Sequence, residues 1–157
     1  MKRLFISVLI LILTLAVSSC GFQLRGALET SFKSIQINGG SPELVKQLKR
    51  NYKQSGIDVR ASSAEKTIEI ITDKVNKRIL SLKSTGTVSE YQLDYIFSYR
   101  IKSNLNEWGT PNTIEMSRSY TYDDSNRLAK QEEENSLIKG MREQIIRAMT
   151  SQISSSK

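Results

Sequence analysis

The sequence contains no histidine and a single cysteine, Cys20, in 157 residues. Without imidazole there is no general base for a Ser-His or Cys-His nucleophile and no histidine ligand for zinc. One thiol excludes a CxxC redox pair and any internal disulfide framework. A Gly-rich phosphate loop is also missing. Asp73, Asp94, Glu90 and Glu115 could supply a carboxylate pair, but they fall on strand-like positions with no nucleophile or metal cluster beside them. These gaps point away from an enzyme, and no cofactor or metal is implied. What the chain does have is charge: 23 Lys and Arg against 16 Asp and Glu, a net +7. An anionic partner such as phosphate, nucleic acid or an acidic lipid surface suits that sign. The length suits one domain.

Lys2 and Arg3 precede an apolar run from Leu4 to Val17 broken by Ser7 and Thr14. The run is about 14 residues, too short for a bilayer span, which takes ~20. Basic start, apolar centre and the small residues Ser18 and Ser19 are the parts of an export signal, so residues 1–19 are read as a signal peptide and 20–157 as one domain. Val17-Ser18-Ser19-Cys20 looks like a bacterial lipobox, in which the cysteine is acylated before cleavage. Lipidation gives the lone Cys20 a role, and several acyl chains hold a protein on a membrane where one holds it weakly. Gly21 stands where an Asp would signal retention in the inner membrane, which points to the outer membrane.

Phe32 to Ile37 alternates as a short strand and stops at Asn38-Gly39-Gly40. Ser41-Pro42-Glu43 is a helix start, Leu44, Leu48 and Tyr52 with Val45 form its apolar stripe, and Gly56 ends it. After a polar turn from Ala61 to Glu65, Thr67 to Leu82 reads as a long strand with Ile68, Ile70, Ile79 and Leu82 inward. Adjacent Ile70 and Ile71 shift the parity, which predicts a bulge. Lys83 to Thr87 is a hairpin connection. Tyr91, Leu93, Tyr95, Phe97, Tyr99 and Ile101 then alternate with polar residues, the clearest period of two in the chain. A loop carrying Trp108 follows, and Ile114, Met116, Tyr120 and Tyr122 continue the alternation with Arg118 on the inward parity, which places that strand near an edge. Asp123-Asp124-Ser125 can cap a long helix with Leu128, Ile138, Met141, Ile145, Met149 and Ile153 on one face, and Gly140 suggests close packing there. The order strand-helix-strand-strand-strand-helix predicts an α+β two-layer sandwich: a four-stranded mixed sheet with both helices packed on one face. The first and second strands should be parallel neighbours, the later ones antiparallel.

Cys20-Gly21-Phe22-Gln23-Leu24-Arg25-Gly26 after the lipobox, Ser89-Glu90-Tyr91-Gln92-Leu93, and Tyr120-Thr121-Tyr122-Asp123 followed by Leu128-Ala129-Lys130-Gln131-Glu132 resemble the lipopolysaccharide-assembly lipoprotein family LptE. The resemblance covers essentially the whole chain after Ser19. It implies a domain lipid-anchored in the outer membrane, with palmitate among its acyl groups, that faces the periplasm and plugs the lumen of the β-barrel LptD in a one-to-one complex. The pair would insert lipopolysaccharide into the outer leaflet. It further implies that Lys130 contacts lipopolysaccharide. Where the family can carry a basic residue at the hairpin turn, this chain has Ser84 and Thr85, leaving Lys83, Lys77 and Arg78 as the nearby candidates. The residues also admit plainer roles. Lys130 fits a first-turn lysine paired with Glu133 or Glu134, and the other three fit charges guarding strand edges. The tyrosine series reads as core, and Trp108 as either hairpin tip or barrel-wall anchor. The alternative function is a stand-alone outer-membrane lipoprotein acting as a periplasmic binding or adaptor module. Export makes a nucleic-acid partner unsuitable.

Overall fold

The computed structural model describes residues 30–102 and 107–155. The signal sequence, Cys20 and the motif following it lie outside the described residues. Within them the chain forms β1 (Ser34–Gly39), α1 (Pro42–Gln54), β2 (Asp58–Val59), β3 (Lys66–Leu82), β4 (Val88–Lys102), β5 (Asn112–Thr121), a 3-10 turn (Asp124–Asn126) and α2 (Arg127–Ser155). The sheet has five strands in the order β2-β1-β3-β4-β5. The fold class is the expected α+β arrangement of a mixed sheet with two helices. The additional strand is β2, two residues paired parallel to β1. Ile57 and Val59 are its only sequence signal, too short to show a period.

Each boundary has a local cause. Ser41 caps α1 by accepting from the Leu44 N–H at 3.4 Å, and Pro42 occupies the first turn, where its missing donor costs nothing. The Ser41 N–H itself donates to the Asp73 carboxylate on β3 at 2.9 Å. Gly56 turns the chain out of the helix at φ +74°. Through α1 the chain crosses from β1 to β3, its parallel neighbour, while β3 with β4 and β4 with β5 are antiparallel. Register shifts fall between Ile70 and Thr72 and again between Ile79 and Leu82. The first is the predicted bulge, leaving Ile71 outward and half exposed.

The core lies between the sheet and the helices. Leu93, Tyr95, Phe97 and Tyr99 of β4 are fully buried, together with Ile35, Ile68, Leu44, Leu48 and Tyr52, and with Met141, Ile145, Ile146, Met149 and Ile153 of α2. Tyrosine hydroxyls in this core have partners, as buried polar groups require. Thr150 donates to the Ile146 carbonyl at 2.7 Å, so the Tyr52 hydroxyl donates to Thr150 at 3.2 Å, and burial pushes that phenol up to about 12. Tyr95 donates to Asp73, and Arg142 reaches the Tyr95 oxygen at 3.4 Å. Tyr99 donates to Gln152. Thus α1, β3, β4 and α2 share one polar seam inside the apolar packing.

Three core assignments are corrected. Ile79 and Leu82 are 53% and 58% exposed because β3 runs past the helices' apolar cover, and Leu128 is 86% exposed because the buried face of α2 begins only at Met141. Gly140 is not a close-packing site, since a Cβ there would meet nothing within 4 Å. Gly39 is the glycine that packing demands. It has φ +78°, and a Cβ would lie 2.6 Å from the Ile70 carbonyl oxygen. Gly56 shares the left-handed conformation but has open space around it. Left-handed backbone costs a side chain about 1–2 kcal/mol, so Gly56→Ala should lose that amount. Gly39→Ala should lose at least about 1 kcal/mol more in urea unfolding; equal losses would show that the Ile70 contact imposes nothing.

Candidate functional site

The far half of the β3–β4 hairpin and the first turns of α2 gather most of the predicted cations. Pairing of Asp73 with Phe97, Val75 with Tyr95, Lys77 with Leu93 and Ile79 with Tyr91 puts these β3 residues on the helix side of the sheet. Lys77 therefore points inward. Its Nζ lies 2.6 Å from Glu134 Oε2 on α2 and 4.2 Å from the centre of the Tyr91 ring. Tyr120 donates to the same Glu134 oxygen at 2.5 Å, and Tyr91 packs against both Tyr120 and Tyr122. Burial pushes the Glu134 carboxyl up, but the bonds from Lys77 and Tyr120 and the lysine charge outweigh it and hold it below its ordinary value. Burial likewise opposes the Lys77 charge, and Glu134 with Tyr120 more than restores it. Lys77 joins α2 to the sheet.

Lys130 donates to Glu133 Oε2 at 2.8 Å and to Thr121 Oγ1 at 3.1 Å. The plain expectation of a first-turn pair with Glu133 is met, with a bond to β5 added. Lys83 opens the hairpin turn, its N–H donating to the Thr87 carbonyl at 2.8 Å. The Asp123 carboxyl is held below the usual range by its bonds from Ser125 and, in smaller part, by the charges of Lys83 and Lys130. Both amines thus act on one carboxylate at the start of α2. Lys83 follows the end of β3, past the register shifts between Ile79 and Leu82.

Arg78 is separated from this group. Its guanidinium donates to Asp94 at 2.9 Å on the open face of the sheet. Asp94 also accepts from Ser117 and Gln92 at 2.6 Å each, and these bonds with Arg78 hold it down to about 2. The same face carries the Arg100–Glu69 pair and the Ser81–Glu90 bond. Trp108 folds back beside Lys102, with the Arg100 guanidinium 4.6 Å from its ring centre. Arg118, inward by parity on edge strand β5, reaches Gln144 at 3.0 Å while remaining exposed.

Apolar surface accompanies the cations. Ile79, Leu80 and Leu82 are exposed along the far hairpin, and Leu128 lies two positions before Lys130. Sequence reading missed this feature. Its signal was three apolar residues in four positions, Ile79, Leu80 and Leu82, just before the hairpin turn. Chemically, the region offers three amines, two of them paired with carboxylates, next to uncovered leucines, a combination suited to an amphiphile bearing phosphate.

Glu134 has a measurable consequence. Its folded carboxyl titrates below the ordinary 4.5. The ionised group therefore stabilises the fold above that value, and the contribution is lost as pH falls through the folded value. Stability measured from about pH 5 down to 3 should decline less steeply in Glu134→Gln than in the parent. Identical slopes would remove Glu134 from the acid response.

Comparison with known proteins follows from this geometry. A model of the LptE family, described as lipopolysaccharide-assembly, matches residues 32–153. Rare lipoprotein B from Shewanella oneidensis is similar at 26% identity and a TM-score of 0.68, over 78% of this chain and 94% of that one. A lipoprotein B from Nitrosomonas europaea is similar at 29% identity and a TM-score of 0.70, over 86% and 91%. A minor lipoprotein from Acinetobacter baumannii shares the fold at 18% identity and a TM-score of 0.64, over 81% and 94%. A comparison with curated protein sequences found no match.

Proposed function

The chain belongs to the LptE family of lipopolysaccharide-assembly lipoproteins, and from that premise we propose that it plugs an LptD-type outer-membrane β-barrel and offers a binding site for the lipopolysaccharide in transit. Residues 1–19 direct export and are removed, Cys20 is acylated, and residues 20–157 form a single domain held on the periplasmic side of the outer membrane and inside the barrel lumen. The role is non-catalytic. Asp73, Asp94 and Glu90 are each committed to hydrogen bonds within the fold, which suits positioning rather than proton transfer.

The observation that carries the lipopolysaccharide contact is an exposed leucine beside each of two amines, Leu82 next to Lys83 and Leu128 two positions before Lys130. A phosphate on the glycolipid would replace Glu133 as the partner of Lys130, with Lys83 as a second cation, while acyl groups cover the leucines. Lys77 is assigned a supporting role because Glu134 and the tyrosine rings already hold it. Arg78, on the other face, is assigned to the barrel contact. The plug reading is favoured by the open sheet face, whose ion pairs and hydroxyls suit the polar lumen of a large barrel. A permanent interface of mixed polarity would also cover Ile79 and Leu80.

Two measurements test this. Isolation of the native chain from membranes should yield a stable one-to-one complex with a barrel of much greater mass; recovery as a detergent-solubilised monomer would favour the stand-alone adaptor. Charge-assisted bonds contribute about 1.5–3 kcal/mol each, so Lys83→Glu with Lys130→Glu should weaken lipopolysaccharide binding about tenfold or more. Urea stability should change far less. Unchanged affinity would move the contact elsewhere.

A further inference from the structure

Three basic residues of the candidate site, Lys77, Arg78 and Lys130, are each held in an ion pair, whereas those of α1 are not. Lys46, Lys49, Arg50 and Lys53 are all exposed. Their spacing of three and four residues aligns them on one stripe, opposite the buried Leu44, Gln47, Leu48 and Tyr52. Glu43 in the first turn is the helix's single acid. None of the four joins an ion pair among the described residues. We infer that this stripe is a membrane-docking surface that rests on anionic phospholipid headgroups beside the lipid anchor.

Three features select a lipid surface over a protein wall. The stripe has no aromatic or aliphatic anchor and consists mostly of lysine, a residue depleted at protein interfaces and well suited to a wet, diffuse layer of phosphates. Its location fits as well. The chain enters the domain under the last turn of α1, where the Phe32 ring packs on Tyr52 with centroids 6.3 Å apart, and Ser31 bonds the Ser154 carbonyl at 2.9 Å. The segment from Cys20 to Thr30 can reach at most about 35 Å, so an anchored Cys20 keeps the entry point beside the last turn of α1 within that distance of the leaflet. Finally, acyl chains and a basic patch are complementary signals, one supplying hydrophobic transfer and the other electrostatic attraction. The inference rests on the proposed acylation of Cys20 for its biological setting.

The test removes the acyl group so that the two ideas fail separately. The processed chain 20–157 bearing Cys20→Ala keeps every core residue, since these lie between Phe32 and Ile153. It is sedimented with vesicles of phosphatidylcholine alone or with phosphatidylglycerol added. Binding should require phosphatidylglycerol and disappear at high salt. Lys49→Glu with Arg50→Glu should lower partition by about tenfold or more, and the milder Lys46→Gln with Lys53→Gln should lower it in the same direction. Lys139→Glu with Arg147→Glu, the same charge change on the exposed face of α2, should have little effect. No preference for the anionic vesicles overturns the inference, as does equal loss from the α2 pair. Loss of the barrel complex on Lys49→Glu with Arg50→Glu, without any vesicle binding by the parent, would assign the stripe to a protein and also overturn it. The mass of the Cys20 peptide from membranes reports acylation independently.

Discussion

Cover limits this fold. At about 3.3 Å per residue the β3 strand extends over 50 Å, yet the buried residues of α2 lie between Met141 and Ile153 and those of α1 between Leu44 and Tyr52. The helices can roof only the near part of the β3–β4 hairpin. There Tyr95, Phe97 and Tyr99 are enclosed, and the two tyrosine hydroxyls are met by Asp73 and Gln152. Beyond that point the sheet has no apolar roof. The first half of α2 runs along the far hairpin and edge strand through polar bonds: Lys77 and Tyr120 to Glu134, and Lys130 to Thr121.

The shortage of cover accounts for both the basic cluster and the exposed leucines. A lysine facing a sheet interior would normally carry a heavy desolvation cost. Lys77 avoids it through one carboxylate and an aromatic face at the margin of the core. Ile79, Leu80 and Leu82 have no such remedy among the described residues. Exposed apolar residues on a long hairpin favour association, so a family member with this hairpin is better suited to life inside a partner than to life alone. The open sheet face agrees, since Arg78–Asp94 and Arg100–Glu69 give it balanced charge rather than a field of one sign.

Much of the architecture was legible because it depends on local patterns. The alternation from Tyr91 to Ile101 specified β4 and its inward face, Ser41-Pro42 specified the start of α1, and the adjacent isoleucines at 70 and 71 specified a bulge. What was not legible depends on how far one element extends over another. Ile79, Leu82 and Leu128 have periods indistinguishable from those of core residues, and only the assembled fold shows that nothing lies above them. The short β2 strand falls below the length at which a period can be seen. For the candidate site, sequence named the cations but could not group them. Arg78, adjacent in sequence to Lys77, ends on the opposite face by the ordinary alternation of a strand.

The distribution of positive charge separates two kinds of contact. In the first turns of α2, Lys130 and the neighbouring Lys77 each have a carboxylate partner, so an incoming anion must compete with an existing bond, and binding there gains selectivity at the expense of strength. On α1 the cations compete with water and salt alone, giving an attraction that is broad, salt-sensitive and indifferent to headgroup detail. A transport component needs both behaviours in different places: a lasting hold on its surroundings and a reversible hold on its cargo. On the proposed reading, the ion pairs of Lys77 and Lys130 would make the second reversible, and the absence of such pairs on α1 would leave its charge free for the first.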